Sequence, residues 1–164
     1  MFGVLLLAAV GALYAATQAF AAPPQQPRNF VAVLSGDEEV ADPPVETLAR
    51  GQAKFQLSAD GTELHFRLIV ANIENVTMAH IHVGAAGVNG PVVAWLYPEG
   101  PPAELIPGRF NGVLATGVIT ADDLVGPLAG ASLDDLVELL KDEEAYVNVH
   151  TSQYPAGEVR GQIR

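Results

Sequence analysis

The sequence predicts an all-β domain of the Greek-key sandwich or barrel class. Many short runs alternate apolar and polar residues, which is the pattern of strands with one buried face. Turn signals such as Asp60-Gly61 and Asn111-Gly112 separate these runs at close spacing. Strands do not alternate with long helices, so a parallel sheet is not expected. Together the runs indicate about seven or eight strands in antiparallel arrangement.

The first half of the domain is expected to hold three strands before residue 72. Residues 29–35 alternate and end at Gly36, and residues 51–58 and 63–71 flank the Asp60-Gly61 turn as a hairpin. The acidic run 37–39 precedes two prolines and is expected to be a solvated loop, with calcium binding as the alternative. Residues 72–76 are expected to turn, and Asn75 begins an Asn-x-Thr sequon.

The second half is expected to add strands at 78–83, 91–97, 113–119, 145–151 and 157–164, with glycine- and proline-containing loops at 84–90 and 98–108. Trp95, the only tryptophan, is expected in the core. Thr120 and Ser132 are each followed three residues later by aspartate, which predicts one or two short capped helices before the penultimate strand. The second helix carries an apolar stripe formed by Leu133, Leu136, Val137, Leu139 and Leu140.

The N-terminus has the pattern of a secretory signal peptide. Residues 2–16 are almost entirely apolar, and small residues follow at 19–22 before a proline pair. We therefore expect residues 1–22 to be a signal peptide, residues 23–28 a linker and residues 29–164 the domain, which would be secreted, periplasmic or in the cell envelope. No basic residue precedes the apolar run, and an uncleaved membrane anchor is the alternative.

Composition excludes several function classes. The formal net charge of −11 and the eight scattered basic residues argue against binding to nucleic acid or to an anionic membrane surface. The chain has no cysteine, so disulfides, cysteine-ligated zinc, iron–sulfur clusters and thiol catalysis are absent. Stability must therefore come from the hydrophobic core of the β domain.

Three of the four histidines fall on the polar faces of predicted strands. His80 and His82 share one face of their strand, and His150 shares the outward face of a later strand with Asn148. Because neutral imidazole is the commonest metal ligand, the sequence predicts a surface transition-metal site formed by His80, His82 and His150. In the alternative interpretation these histidines hydrogen-bond and brace the barrel. His65 has charged neighbours on its own face and is left out of the site.

Three motifs, in order, resemble the CHRD domain, which is named from repeats in chordin and also occurs as a single secreted domain in bacteria. They are Leu-Ser-Gly…Glu-Val…Pro-Pro-Val at 34–45, Ala-His-Ile-His-Val-Gly…Gly-Pro-Val-Val at 79–93, and Tyr-Val-Asn-Val-His-Thr…Pro-Ala-Gly-Glu-Val-Arg-Gly-Gln at 146–162. The resemblance covers about residues 29–163. It implies an immunoglobulin-like barrel similar to that of copper–zinc superoxide dismutase, with a copper-like site at His80, His82 and His150.

Three functions follow as hypotheses. The first is a non-enzymatic binding module for a transition metal, copper or zinc, with water or Asn148 nearby; copper(II) is favoured by the usual affinity order. The second is a domain that binds an extracellular protein or matrix component through loops 84–90 and 98–108. The third, a dismutase-type redox enzyme, is disfavoured because the chain lacks the additional histidines, the shared zinc and the disulfide of a dismutase. Arg160 is expected either to steer an anion towards the site or to pair with an acid.

Overall fold

The structure, a computed structural model, describes residues 28–164. The predicted signal peptide and nearly all of the predicted linker lie outside these residues. Within residues 28–164, none of the helices has the length and apolar character needed to cross a membrane.

The described residues form seven strands and one short α-helix, which confirms the all-β class. The strands are β1 (Asn29–Ser35), β2 (Arg50–Leu57), β3 (Leu64–Val83), β4 (Val92–Tyr97), β5 (Ile106–Ile119), β6 (Ala145–Thr151) and β7 (Val159–Gln162). The helix α1 (Leu133–Lys141) precedes β6, and single 3-10 turns lie at Gly36–Glu38, Ala121–Asp123 and Gly126–Leu128.

The strands close into a barrel because β3 pairs with both ends of the series. The antiparallel order runs β2-β1-β7-β6-β3, and β3 pairs again with β2. The first half of β3 lies between β2 and β5, whereas its second half lies between β6 and β4. The long strand β3 therefore joins the side of the barrel that contains β2 and β5 to the side that contains β6 and β4. It carries two of the candidate histidines, His80 and His82.

The turn predicted at 72–76 is wrong, because β3 continues through it. Asn72 and Asn75 adopt φ values of 55° and 54°, and the strand bends at these residues without ending. The backbone N–H of Asn72 donates to Asn111 Oδ1, and Asn75 Oδ1 accepts from the backbone N–H of Gly108. These bonds to β5 hold the bend, and β5 correspondingly begins at Ile106, inside the predicted loop 98–108.

The core fills the barrel with the apolar faces of the strands, as alternation predicts. Along β1, for example, Phe30, Ala32 and Leu34 are buried between exposed residues. Helix α1 packs its apolar stripe on this core: Leu133, Leu136, Val137 and Leu140 are buried, and Leu139 is half-buried. Both predicted capping boxes are present, but the one at Thr120 begins only a 3-10 turn.

Candidate metal site

The three predicted histidines converge on one point of the barrel wall. In the antiparallel register of β3 and β6, Met78 is opposite His150, His80 is opposite Asn148 and His82 is opposite Tyr146. His80, His82 and His150 therefore project from the same face of two paired strands. One nitrogen from each ring lies within 4.8 Å of the other two, and such a group is able to hold a metal ion.

Hydrogen bonds orient two of the rings and select their free nitrogens. His82 Nδ1 lies 2.9 Å from the Gly90 carbonyl oxygen, and His150 Nδ1 lies 3.1 Å from that of Pro155. A carbonyl oxygen only accepts, so each Nδ1 donates and each Nε2 keeps its lone pair. This is the arrangement that orients metal-binding imidazoles in known sites. His80 Nδ1 lies 3.1 Å from His150 Nε2 and donates to its lone pair, so it becomes a metal-binding nitrogen when its proton moves to His80 Nε2.

The spacing of these nitrogens fits a first-row transition metal. Metal–nitrogen bonds of about 2.0–2.1 Å place two ligand atoms roughly 3.1–3.4 Å apart when the angle at the metal lies between about 98° and 109°. The observed 3.1 Å between His80 Nδ1 and His150 Nε2 falls in this range, and the hydrogen bond that spans this distance in the absence of metal must be given up when a metal binds both nitrogens. The upper limit of 4.8 Å for the cluster exceeds two such bonds in line by about 0.6 Å, so binding of one metal by all three nitrogens requires the rings to move closer together.

The site is buried, which corrects the prediction that it lies on the surface. His80, His82 and His150 expose only 4%, 9% and 6% of their area. Strand alternation turns them away from the core, but aromatic rings cover them on that side. Trp95, predicted in the core, is half-buried and perpendicular to His80, with ring centroids 4.2 Å apart. Tyr146 stacks on His82 at 4.9 Å.

Three buried polar atoms at this place have no hydrogen-bond partner among the described residues: His80 Nε2, His82 Nε2 and Asn148 Oδ1. Leaving a buried polar atom unpaired costs about 1–3 kcal/mol, so native proteins rarely keep several together. An unpaired lone pair on His82 Nε2 is what an imidazole presents when its other nitrogen is already bonded. The pattern indicates that the site accommodates an additional ligand.

The environment keeps the imidazoles in the form that binds metal. Burial, together with the nearby His150 and His82, lowers the pKa of His80 to about 3. Burial lowers the pKa of His150 to about 4, against the opposing hydrogen bond to Pro155. Burial also lowers the pKa of His82, and the Arg160 charge adds to this effect. All three rings are thus neutral over the physiological pH range.

Arg160 fastens the loop that covers the site. Its side chain is 1% exposed, and it donates to the carbonyl oxygens of Ala85 and Val88 and to Asn89 Oδ1. Its guanidinium carbon lies 3.5 Å from the centroid of the Tyr146 ring. It makes no ion pair within 4 Å in the part of the chain that the structure describes. The predicted ion pair with an acid is therefore wrong, and this buried group is not placed to steer anions from solvent.

Glu39 belongs to the surroundings of the site, although its acidic run was expected to be a solvated loop. Asn148 Nδ2 donates to both carboxylate oxygens of Glu39, at 3.1 and 3.2 Å. Burial raises the pKa of Glu39 to about 7, against the opposing effects of the Asn148 hydrogen bond and the Arg160 charge. Its neighbours Asp37 and Glu38 are exposed as expected.

Sequence reasoning missed Trp95, Tyr146 and Glu39 as surroundings of the histidines. The position of Tyr146 beside the histidines could have been predicted, because strand alternation places it on the same face as His150. Trp95 pairs with His80 only because of register shifts in the β3–β4 ladder, and no sequence signal marks them. His65 remains outside the cluster, half exposed and 3.1 Å from Glu63.

Comparison with models of known protein families identifies the family of this chain. The family model of the CHRD domain matches residues 30–163, which is nearly all of the part that the structure describes. Searches of curated proteins and of solved structures return no match. The matched segment contains β2 to β7, all of β1 except its first residue, and all three clustered histidines, and the chain therefore belongs to the CHRD domain family.

Proposed function

We propose that this CHRD domain is an exported, non-enzymatic module that binds one transition-metal ion through His80 Nδ1, His82 Nε2 and His150 Nε2. The observation that carries the proposal is the meeting of three neutral imidazoles at a buried place where ring nitrogens lack partners. Histidines that only braced the barrel would be expected to satisfy each other. The bond between His80 and His150 does so in part, but it leaves His82 Nε2 unpaired.

Copper is the metal that this donor set favours. Imidazole nitrogens suit copper, zinc and nickel, and the usual affinity order places copper(II) above the other divalent ions. The site offers no thiolate, since the chain has no cysteine. Asn148 Oδ1 is buried on the residue directly opposite His80, and it is available to a fourth ligand such as a metal-bound water.

Export is the second part of the proposal, and it rests on residues 1–22. The apolar run followed by small residues is typical of a cleaved signal peptide. Outside the cytoplasm, a buried site made of histidines alone has the advantage that no ligand is lost to thiol oxidation. Sequencing of the N-terminus of the exported protein tests this part, with cleavage expected after Ala21 or Ala22.

Titration with copper(II) and zinc(II) tests the metal site, and Trp95 provides the signal. Trp95 is the only tryptophan, and its ring contacts His80, so copper(II) bound there should quench its fluorescence. We expect one ion per chain in the wild type. His65→Ala, which removes a histidine outside the cluster, should bind equally well, whereas His80→Ala and His150→Ala should lose the quenching. Equal weak uptake by all four proteins contradicts the proposal.

An interaction domain is the second candidate, and the loop at 84–90 favours it. Arg160 donates hydrogen bonds to the backbone of this loop, and the loop residue Val88 is 53% exposed. Asn89 Nδ2 also donates to the Val40 carbonyl oxygen, which joins the loop to a second exposed apolar residue. Capture of an extracellular protein that depends on Val88 and is unaffected by chelator would favour this function over the first.

A further inference from the structure

We propose that Trp95 is the route by which electrons enter and leave the metal site, and that the redox partner is a cationic one-electron carrier. The inference rests on the proposed function, since it requires copper to be bound. In the transfer, copper(I) is oxidised to copper(II) and the carrier is reduced by one electron. No covalent bond forms or breaks, and no proton needs to move.

The histidines themselves do not offer a route. They are at least nine-tenths buried, and the carbonyl-bonded loop 84–90 and the Tyr146 ring lie over part of the cluster. A carrier that cannot touch a ligand must exchange electrons through the group packed against it, because electronic coupling falls steeply with every gap in the path. Among the aromatic side chains in contact with the ligands, Tyr146 is 2% exposed and itself enclosed.

Trp95 joins the site to solvent. One side of its ring contacts His80, with 4.2 Å between centroids and 85° between planes. Trp95, which is half-buried, is also among the residues that line an open cleft of about 460 Å³ on the side of the barrel formed by β4 and β5. His80 and Trp95 are paired across the β3–β4 ladder, so the backbone holds their contact. Indole has the largest π-system among side chains, which suits it to couple a ligand to a carrier in the cleft.

The charge around the cleft selects the class of carrier. Its wall includes the exposed carboxylates of Glu99 and Asp122, with Asp123 beside them, and no basic side chain is among the residues that line it. The whole chain carries a formal charge of −11. A cleft lined by one sign of charge attracts carriers of the opposite sign and repels those of the same sign, with effects on association rates of about 10–10³-fold at low salt.

The test measures the oxidation of the copper(I)-loaded full chain in a stopped-flow instrument. The probes are a cationic tris-phenanthroline cobalt(III) complex and anionic hexacyanoferrate(III), with formation of copper(II) followed by absorbance and confirmed by electron paramagnetic resonance. We expect Trp95→Leu to react several-fold more slowly with the cationic complex, and Trp95→Phe to keep most of the rate. Tyr97→Leu, on the same face of β4 but outside the contacts of the histidine rings, is the matched control and should react as the wild type.

Two accompanying measurements separate the possible failures. Copper stoichiometry and the reduction potential of each variant are determined first, so that a change in occupancy or driving force is not mistaken for a change in route. If the wild type takes up no copper, the proposed function fails. If Trp95→Leu binds copper at the same potential and reacts at the wild-type rate, only the route through Trp95 is overturned.

The carboxylates are tested by Glu99→Gln combined with Asp122→Asn. These changes should slow the cationic complex by roughly tenfold at low salt, and the difference should fade as ionic strength rises. Oxidation by hexacyanoferrate should be unchanged or faster. A double variant that reacts equally fast with the cationic complex at low salt overturns the assignment of a cationic carrier.

Discussion

The imidazole of His82 lies flat against the ring of Tyr146, with 4.9 Å between the centroids and 11° between the planes. The same tyrosine ring receives the guanidinium of Arg160, and its hydroxyl accepts the backbone N–H of Gly90. Gly90 in turn provides the carbonyl oxygen that orients His82. A closed set of contacts therefore connects one candidate ligand, the covering loop and a buried cation.

Arg160→Met should destabilise the domain by about 1–3 kcal/mol, because three neutral hydrogen-bond acceptors lose their charged donor. The three acceptors on Ala85, Val88 and Asn89 lose their donor together. Urea unfolding measures the change. Arg67→Met, at an exposed position of β3, is the control and should stay within about 0.5 kcal/mol of the wild type. A loss below about 1 kcal/mol for Arg160→Met contradicts the role given to this residue.

The alternation of apolar and polar residues was sufficient to predict the bounds of the simplest strands and the convergence of the three histidines. The bounds predicted for β1 and β6 are those observed, because each strand alternates cleanly and ends at a turn signal. His80, His82 and His150 were placed on outward faces, and the pairing of β3 with β6 brings them together. This prediction needed only the two-residue period of side-chain direction along a strand and one antiparallel pairing.

The sequence alone could not predict that the site is buried or that β3 continues without a break. A positive φ at Asn72 and Asn75 suits a turn and a strand bend equally, and only the bonds to Asn111 and Gly108 in β5 decide between them. The burial of the histidines likewise depends on contacts between residues that are far apart in the sequence. Glu39 reaches Asn148 across 109 positions, and alternation within one strand contains no information about such a pair.

Gly157→Ala should destabilise the domain by about 2–5 kcal/mol. Gly157 has φ +133°, where a side chain is strained, and a Cβ atom would lie 2.6 Å from Asn148 Nδ2 and 2.8 Å from Glu39 Oε1. The substitution should also change the Trp95 fluorescence response to copper(II), since it displaces Asn148 next to the site. Gly100→Ala is the control: a Cβ there meets nothing within 4 Å, and no loss is expected. Equal thermal unfolding of the two variants contradicts this account.

Ser132→Ala should cost about 1 kcal/mol, the usual contribution of a helix N-cap. Ser132 Oγ accepts the backbone N–H of Asp135, and the Asp135 carboxylate accepts the backbone N–H and hydroxyl of Ser132. Because α1 packs four buried apolar residues on the core, weakening of this cap is expected to lower the free energy of unfolding of the whole domain. Ser152→Ala, at an exposed turn, is the control. A copper affinity equal to that of the wild type is expected, since α1 contributes no ligand.

Glu39→Gln should change how stability depends on pH. Burial raises the pKa of Glu39 from 4.5 to about 7, so the folded state takes up a proton between these values. The stabilisation from this group is fully present below pH 4.5 and is lost as the pH rises through about 7. The wild type should therefore lose stability relative to Glu39→Gln between pH 4 and pH 8, by up to about 3 kcal/mol at 1.4 kcal/mol per pKa unit and less where water reaches the carboxyl.

The measurement is the difference in urea-unfolding free energy between the two proteins at each pH, without added metal. The depressed pKa values of His80 and His150 act in the opposite direction, since their folded forms resist protonation as the pH falls below 6.5. They are common to both proteins and cancel in the difference. Glu38→Gln, on the exposed neighbour, is the matched control for the removal of one carboxylate from this segment. A wild type that gains stability over Glu39→Gln as the pH rises would show that Glu39 is more easily ionised in the folded state, and this would contradict the conclusion that burial raises its pKa.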